Sequence, residues 1–122
     1  MAGKHLTAVF FKNASGNEPA RDFLRSLPIE DRRVIGRDIA AVEYGWPVGL
    51  PTCRALGKGL WEVRSSLPSR REARVFFYTT ARQEMVLLHA IVKKSRATLL
   101  RDIRLAEERM NIHRSKEENQ DG

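Results

Sequence analysis

Three apolar, β-prone stretches, at residues 60–66, 73–80 and 84–93, follow one another with very short connections, and this constrains the fold more than any other feature. The first two are joined by Leu67-Pro68-Ser69-Arg70-Arg71 and the last two by Ala81-Arg82-Gln83. A parallel crossover needs a dozen residues or more, so these stretches must be antiparallel neighbours in one sheet. The last of them, Met85-Val86-Leu87-Leu88-His89-Ala90-Ile91-Val92, is apolar on both faces, as expected of a strand inside a sheet.

The remaining elements arrange themselves around that sheet. Leu6-Thr7-Ala8-Val9-Phe10-Phe11 reads as a strand, closed by the polar loop Lys12-Asn13-Ala14-Ser15-Gly16-Asn17. Pro19 opens a short helix with Ala20, Phe23, Leu24 and Leu27 on one side. Pro28 ends it and opens a second helix, with Glu30 and Asp31 at the positive end of its dipole, an apolar stripe of Val34, Ile35, Ile39 and Val42, and Gly45 as C-cap. Residues 46–59, with Pro47, Gly49, Pro51, Gly57 and Gly59, read as loop throughout. A helix over 98–111 carries Leu99, Ile103, Ala106 and Met110 on one face. Residues 114–122 contain no apolar residue and are expected to be a disordered tail behind a single domain of residues 1–113. The expected fold class is α+β, in the order β-α-α-β-β-β-α, with the helices on one face of a small antiparallel sheet and the other face open.

With 122 residues the chain suffices for one domain with a hydrophobic core. No apolar run approaches the roughly 20 residues that span a bilayer, and Met1-Ala2-Gly3-Lys4-His5 lacks the apolar region of a signal peptide. The single cysteine, Cys53, excludes an intrachain disulfide, so a reducing cytoplasm is the expected location and a loop filler the expected role. Charge is unevenly spread: residues 53–104 hold 12 Lys/Arg against 4 Asp/Glu, a surplus of 8 in a chain whose net charge is +7. A basic excess confined to one structural unit points to a polyanion, with RNA the first candidate.

Strand alternation places the charges. Trp61 and Val63 oppose Glu62 and Arg64; Val75 and Phe77 oppose Arg74, Phe76 and Tyr78. Packing the bulky apolar set on the helices puts Arg64, Arg74 and Tyr78 together on the open face. In residues 84–93 either alternating set fits the helices. Val86, Leu88, Ala90 and Val92 are the more uniformly apolar set, which assigns His89 and Lys93 to the open face with the arginines.

At Leu60-Trp61-Glu62-Val63-Arg64, Arg74-Val75-Phe76-Phe77 and Leu87-Leu88-His89-Ala90-Ile91-Val92-Lys93-Lys94 the chain resembles the RelE/ParE toxin superfamily, and within it the phage-related, HigB-type branch. The specific motif covers residues 60–94, while the element order covers nearly the whole chain. Ala73 and Phe77 stand where the branch usually has an aromatic residue and a tyrosine, and Ala97-Thr98-Leu99 follows the double lysine where a Thr-Pro is usual. The resemblance implies the toxin of a type II toxin–antitoxin pair that cuts mRNA on the ribosome. It also implies inhibition by a helix-turn-helix antitoxin from a neighbouring gene.

Metal-free RNA cleavage uses the substrate's own 2′-hydroxyl against the adjacent phosphate. It needs a base, cations for the charge growing on phosphorus, and an acid for the leaving oxygen. Arg64 and Arg74 suit the cationic task, because a guanidinium pairs bidentately with phosphate oxygens. His89 suits the base or the acid, and Lys93 the base or a backbone contact. These four are the expected catalytic residues. Lys94 and Arg71 are expected phosphate contacts, and Tyr78 or Phe76 the expected stacking surface for an unpaired base. Neither a metal nor a cofactor is expected, since His5, His89 and His113 lack ligand-like spacing. Plainer readings stand beside these: His89 as a satisfied core histidine, Tyr78 as a core aromatic, Arg71 and the double lysine as solvating charge. The rival functions are a ParE-like inhibitor of DNA gyrase without nuclease chemistry and a non-catalytic nucleic-acid-binding module.

Overall fold

The computed structural model of the protein describes residues 3–47, 53–94 and 98–121. Eight elements follow in order: β1 (Thr7–Phe10), α1 (Pro19–Arg25), α2 (Ile29–Gly45), β2 (Cys53–Gly57), β3 (Leu60–Ser66), β4 (Glu72–Thr79), β5 (Glu84–Lys93) and α3 (Leu100–Asp121). The five strands form one sheet in the order β1-β5-β4-β3-β2. The three strands linked by short turns are antiparallel neighbours, as their connections require. The sheet as a whole is mixed, because β1 returns along the edge beside β5 and runs parallel to it, Thr7 opposite Glu84 and Phe10 opposite Leu87.

Four expectations are corrected. Residues 46–59 are not loop throughout: Cys53–Gly57 forms the edge strand β2, antiparallel to β3 with Cys53 opposite Val63 and Ala55 opposite Trp61. Two of the glycines that suggested loop, Gly57 and Gly59, belong to its hairpin turn. Gly57, Lys58 and Gly59 all have positive φ (97°, 58° and 90°), which is what a tight turn between two strands demands. Residues 48–52 lie outside the described part of the chain.

The second correction is decisive for function: the sheet has no open face. α1 and α2 pack on one side, where Ala20, Ile35, Ile39 and Val42 meet Val63, Val75, Phe77 and Leu87. α3 covers the other side, with Ala106 and Met110 against Leu60, Phe76, Tyr78, Val86 and Leu88. Alternation had assigned the two sides correctly in β3 and β4. The second side, however, carries too much apolar surface to remain in water, at roughly 25 cal/mol per Å².

The third explains why β5 was ambiguous. Phe76 pairs with His89 but Phe77 pairs with Leu87, so a β-bulge at Leu88 shifts the alternation by one residue. Before the bulge Met85 and Leu87 face α1 and α2; after it Ala90 and Val92 do. Val86, Leu88 and Ile91 join the α3 side. His89 and Lys93 therefore share the arginines' side, as expected, but Val86 and Leu88 do not pack on α1 and α2. Arg109 of α3 donates from Nη1 to the Leu88 carbonyl at 2.9 Å, satisfying backbone at the bulge.

Fourth, the tail expected over 114–122 is helical through Asp121. No Gly or Pro interrupts it, and its Lys and Glu residues are good helix formers. Two side chains tie it down. His113 Nδ1 and the Tyr78 hydroxyl lie 2.5 Å apart. Arg114 sits 5.1 Å above the Tyr78 ring and donates to the Lys58 carbonyl at 3.3 Å. Two acids on α2 hold the opposite side: the buried Asp31 accepts from Ser69 at 2.9 Å and from Arg71 at 3.5 Å, and the half-buried Asp38 accepts from Ser65 at 2.6 Å. No described helix is long and apolar enough to cross a membrane.

Candidate functional site

The bulge and the start of α3 together gather charge under one end of the helix. Across β3, β4 and β5 the register aligns Glu62, Phe76 and His89 in one row, then Arg64, Arg74 and Ile91 in the next, with Glu72 opposite Lys93 beyond them. All these positions face α3. Thr98 precedes that helix, and Asp102 lies in its first turn. Of the four expected catalytic residues, Arg64, Arg74, His89 and Lys93, all are therefore in this cluster.

Their surroundings differ from those of an exposed basic face. Arg64 Nε donates to Glu62 Oε1 at 2.8 Å, and the Thr98 hydroxyl donates to Glu62 Oε2 at 3.1 Å. Glu62 is fully buried, while the Arg64 side chain keeps 25% exposure. Arg74 is fully buried, with Nη2 3.4 Å from Glu72 Oε2. Burial, and next the neighbouring Arg64 guanidinium, lower its pKa. Lys93 Nζ donates to Asp102 Oδ2 at 3.1 Å. Three cations thus meet three carboxylates, so the cluster itself is balanced in charge and the basic surplus of residues 53–104 lies outside it.

His89 and Asp102 form its most specific pair. His89 Nε2 lies 3.0 Å from Asp102 Oδ1. Burial drives the Asp102 pKa up, but the hydrogen bonds from His89 and Lys93 outweigh it and leave the carboxyl below its usual range. An ionised carboxylate only accepts, so Nε2 carries the proton and Nδ1 is left as the ring's acceptor. Burial lowers the His89 pKa, opposed by the Asp102 hydrogen bond and aided by Arg109 and Lys93. The ring stacks on Phe76 with centroids 5.5 Å apart and planes 15° from parallel. The histidine is thus held neutral, in one tautomer, by an aspartate (the arrangement of a general base and its orienting acid).

The sign of that shift gives a testable pH dependence. A histidine whose folded pKa lies below its unfolded value of about 6.5 binds more protons unfolded, so its contribution to stability is lost as pH falls through that range. The melting temperature of the wild-type chain should therefore fall between about pH 7.5 and 5.5. In His89→Gln that part of the slope should disappear. An unchanged slope in the variant would assign the acid sensitivity to other groups.

The expected RNA contacts fare unevenly. Lys94 is exposed at the end of β5, beside the cluster. Arg71 is not: it bends toward α2 and pairs with Asp31 on the other side of the sheet. Phe76 and Tyr78 are buried beneath α3, so neither is presented for stacking on a base. Tyr78 lies toward the far end of α3, against His113, and burial followed by the Glu117 charge pushes its pKa up to about 12. Cys53 lies on β2, packed against the α1/α2 core; burial and then Glu62 push its thiol up to about 11.

Asp102, Glu62, Glu72 and Thr98 were absent from the expected site. Asp102 carried a signal: it lies four residues before Ala106 and eight before Met110, so an acid occupies the buried stripe of α3. Glu62 likewise sits two residues from Arg64, on the same side of one strand.

No curated protein matches the sequence. Residues 22–111, about three-quarters of the chain and including β2 to β5 and the first half of α3, match the family described as Phage derived protein Gp49-like (DUF891). That family is toxin-like and related to the RelE/HigB-type toxins. Its match spans both the charged cluster and the helix that covers it, and the chain belongs to this family of phage-derived Gp49-like proteins.

Proposed function

We propose that the chain is the toxin of a type II toxin–antitoxin pair and cleaves mRNA on the ribosome without a metal. The observation that carries this reading is the neutral His89, oriented by Asp102, beside the partly exposed Arg64 and Lys93. Kinship with RelE/HigB-type toxins supports the toxin role. In the proposed step His89 Nδ1 takes the proton of a 2′-hydroxyl as its oxygen attacks the adjacent phosphorus. The bond from phosphorus to the 5′-oxygen breaks, leaving a 2′,3′-cyclic phosphate on one fragment and a 5′-hydroxyl on the other. Arg64 and Lys93 hold the negative charge on the phosphate oxygens, and the ammonium of Lys93 supplies the proton for the leaving oxygen. Exposed Lys94 binds the flanking backbone. A helix-turn-helix antitoxin encoded by the neighbouring gene holds the toxin inactive, and the proposed setting is the cytoplasm.

One observation favours a second reading. Each cation of the cluster faces a carboxylate of the chain itself, which suits a fold-stabilising network and a ParE-like inhibitor of DNA gyrase. Inducing the chain in cells and mapping transcript 5′ ends separates the two. Codon-phased cuts confined to translated messages are expected. Growth arrest with intact messages and a DNA-damage response would instead establish the gyrase reading.

A further inference from the structure

α3 reaches β5 through two polar side chains seven residues apart in sequence, a spacing that puts both on one face of the helix. Asp102 holds the His89 ring, and Arg109 holds the backbone carbonyl of the preceding residue, Leu88, at 2.9 Å. Side chains of a helix lean toward its N-terminus, so the long Arg109 side chain is directed back toward the turn that carries Asp102. Its guanidinium also lies over the Phe11 ring, 5.9 Å from the centroid.

What that hydrogen bond holds decides where the candidate site points. Leu88 is the extra residue between the pairs Phe77–Leu87 and Phe76–His89, and so has no partner across the ladder. The bulge turns Leu88 and His89 to the same side, toward α3, and Lys93 follows in phase. Were alternation to continue unbroken from Leu88, His89 and Lys93 would enter the apolar layer of Ile35, Val42 and Phe77 under α1 and α2. Leu88 is fully buried, so water does not replace Arg109 at its carbonyl. Arg109 gives up solvation to make this bond: it is half-buried, burial lowers its pKa, and no carboxylate of the described residues pairs with it. A cation offsets such a cost best against an acid, as Arg64 and Lys93 do. Arg109 serves the backbone at the bulge instead.

We propose that Arg109 is a positioning residue of the candidate nuclease site: its hydrogen bond to the Leu88 carbonyl pins the bulge that turns His89 and Lys93 toward Asp102. Its effect on cleavage rests on the nuclease reading, whereas its effect on the His89 ring does not.

NMR of the His89 ring in Arg109→Met, beside transcript cleavage, tests it. In the wild type the stacked Phe76 ring displaces the carbon-bound protons of His89 from their free positions. In the variant these signals should move toward the free positions, and cleavage should fall by up to about 10²-fold. The titration midpoint of His89 should rise, because burial and the Arg109 charge both depress it. The charged groups around that ring are Asp102 and Arg109 from α3 and Lys93 on its own strand, with Glu62 of β3 and Arg74 of β4 next in the sheet. Arg109→Lys, which keeps a charged donor, should restore the ring signals. The proposal is overturned if the folded Arg109→Met chain keeps its His89 ring signals in place, even with a raised midpoint, since Arg109 would then act only as a distant charge. It is overturned equally if the Arg109 Nη groups of the wild type rotate freely and exchange rapidly with water, a measurement that decides the matter should Arg109→Met not fold. If wild-type chain leaves transcripts intact, the nuclease reading falls, and the ring signals still judge the positioning.

Discussion

Replacing Arg64 should silence the toxin, and the effect should separate from folding only when Glu62 is changed with it. Losing one donor to a developing phosphate charge costs on the order of 10²–10³ in rate. Arg64→Ala alone also takes the Arg64 guanidinium from Glu62, which is fully buried and would keep, among the described residues, the Thr98 hydroxyl as its hydrogen-bond donor. Breaking a buried pair from one side costs about 3–5 kcal/mol, so loss of toxicity in that variant would be ambiguous. The neutral pair Glu62→Gln/Arg64→Met removes both charges at similar volume and should melt near the wild-type temperature, yet show no growth inhibition. Glu62→Gln by itself frees Arg64 from its internal partner and should keep or increase toxicity. Full toxicity in the folded double variant would remove Arg64 from the active site and leave it as half of a structural pair.

That distinction was not visible in the sequence, for a physical reason. Alternation correctly put Arg64, Arg74, His89 and Lys93 on one side of the sheet, because side-chain direction in a strand is a local property. What covers that side is not local. The Leu99, Ile103, Ala106 and Met110 stripe announced an apolar face on the last helix, but nothing in the stripe says which side of a five-stranded sheet it will bury. Had Asp102 been read as a buried acid needing partners, His89 and Lys93 were the nearest titratable candidates on a neighbouring strand. The bulge at Leu88 was hidden in the same way, since an apolar run has no polar residue to reveal a shift in phase. β2 was missed because Gly57 and Gly59 mark a turn equally well inside a hairpin or inside a loop. The tail was misread because composition alone does not record the Tyr78 ring waiting for His113 and Arg114.

Arg74 should prove a folding residue first. Its side chain is fully buried, with Glu72 on one side and the Arg64–Glu62 pair beside it. Arg74→Ala removes a buried cation from a network with three carboxylates and leaves a void where a long side chain lay. The expected loss is about 3–5 kcal/mol, a large share of the 5–15 kcal/mol that holds a domain of this kind together. For a chain of this length that corresponds to a fall of roughly 10–20 °C in melting temperature. Arg74→Met keeps much of the volume, and Glu72, 28% exposed, can turn to water, so this variant should lose less than half as much. Toxicity should then follow the folded fraction across the two variants. A chain with Arg74→Ala that melts within about 2 °C of wild type but is inert would show the opposite. In that case the guanidinium is not held by the fold for its own stability, and α3 must move aside to let Arg74 reach a phosphate.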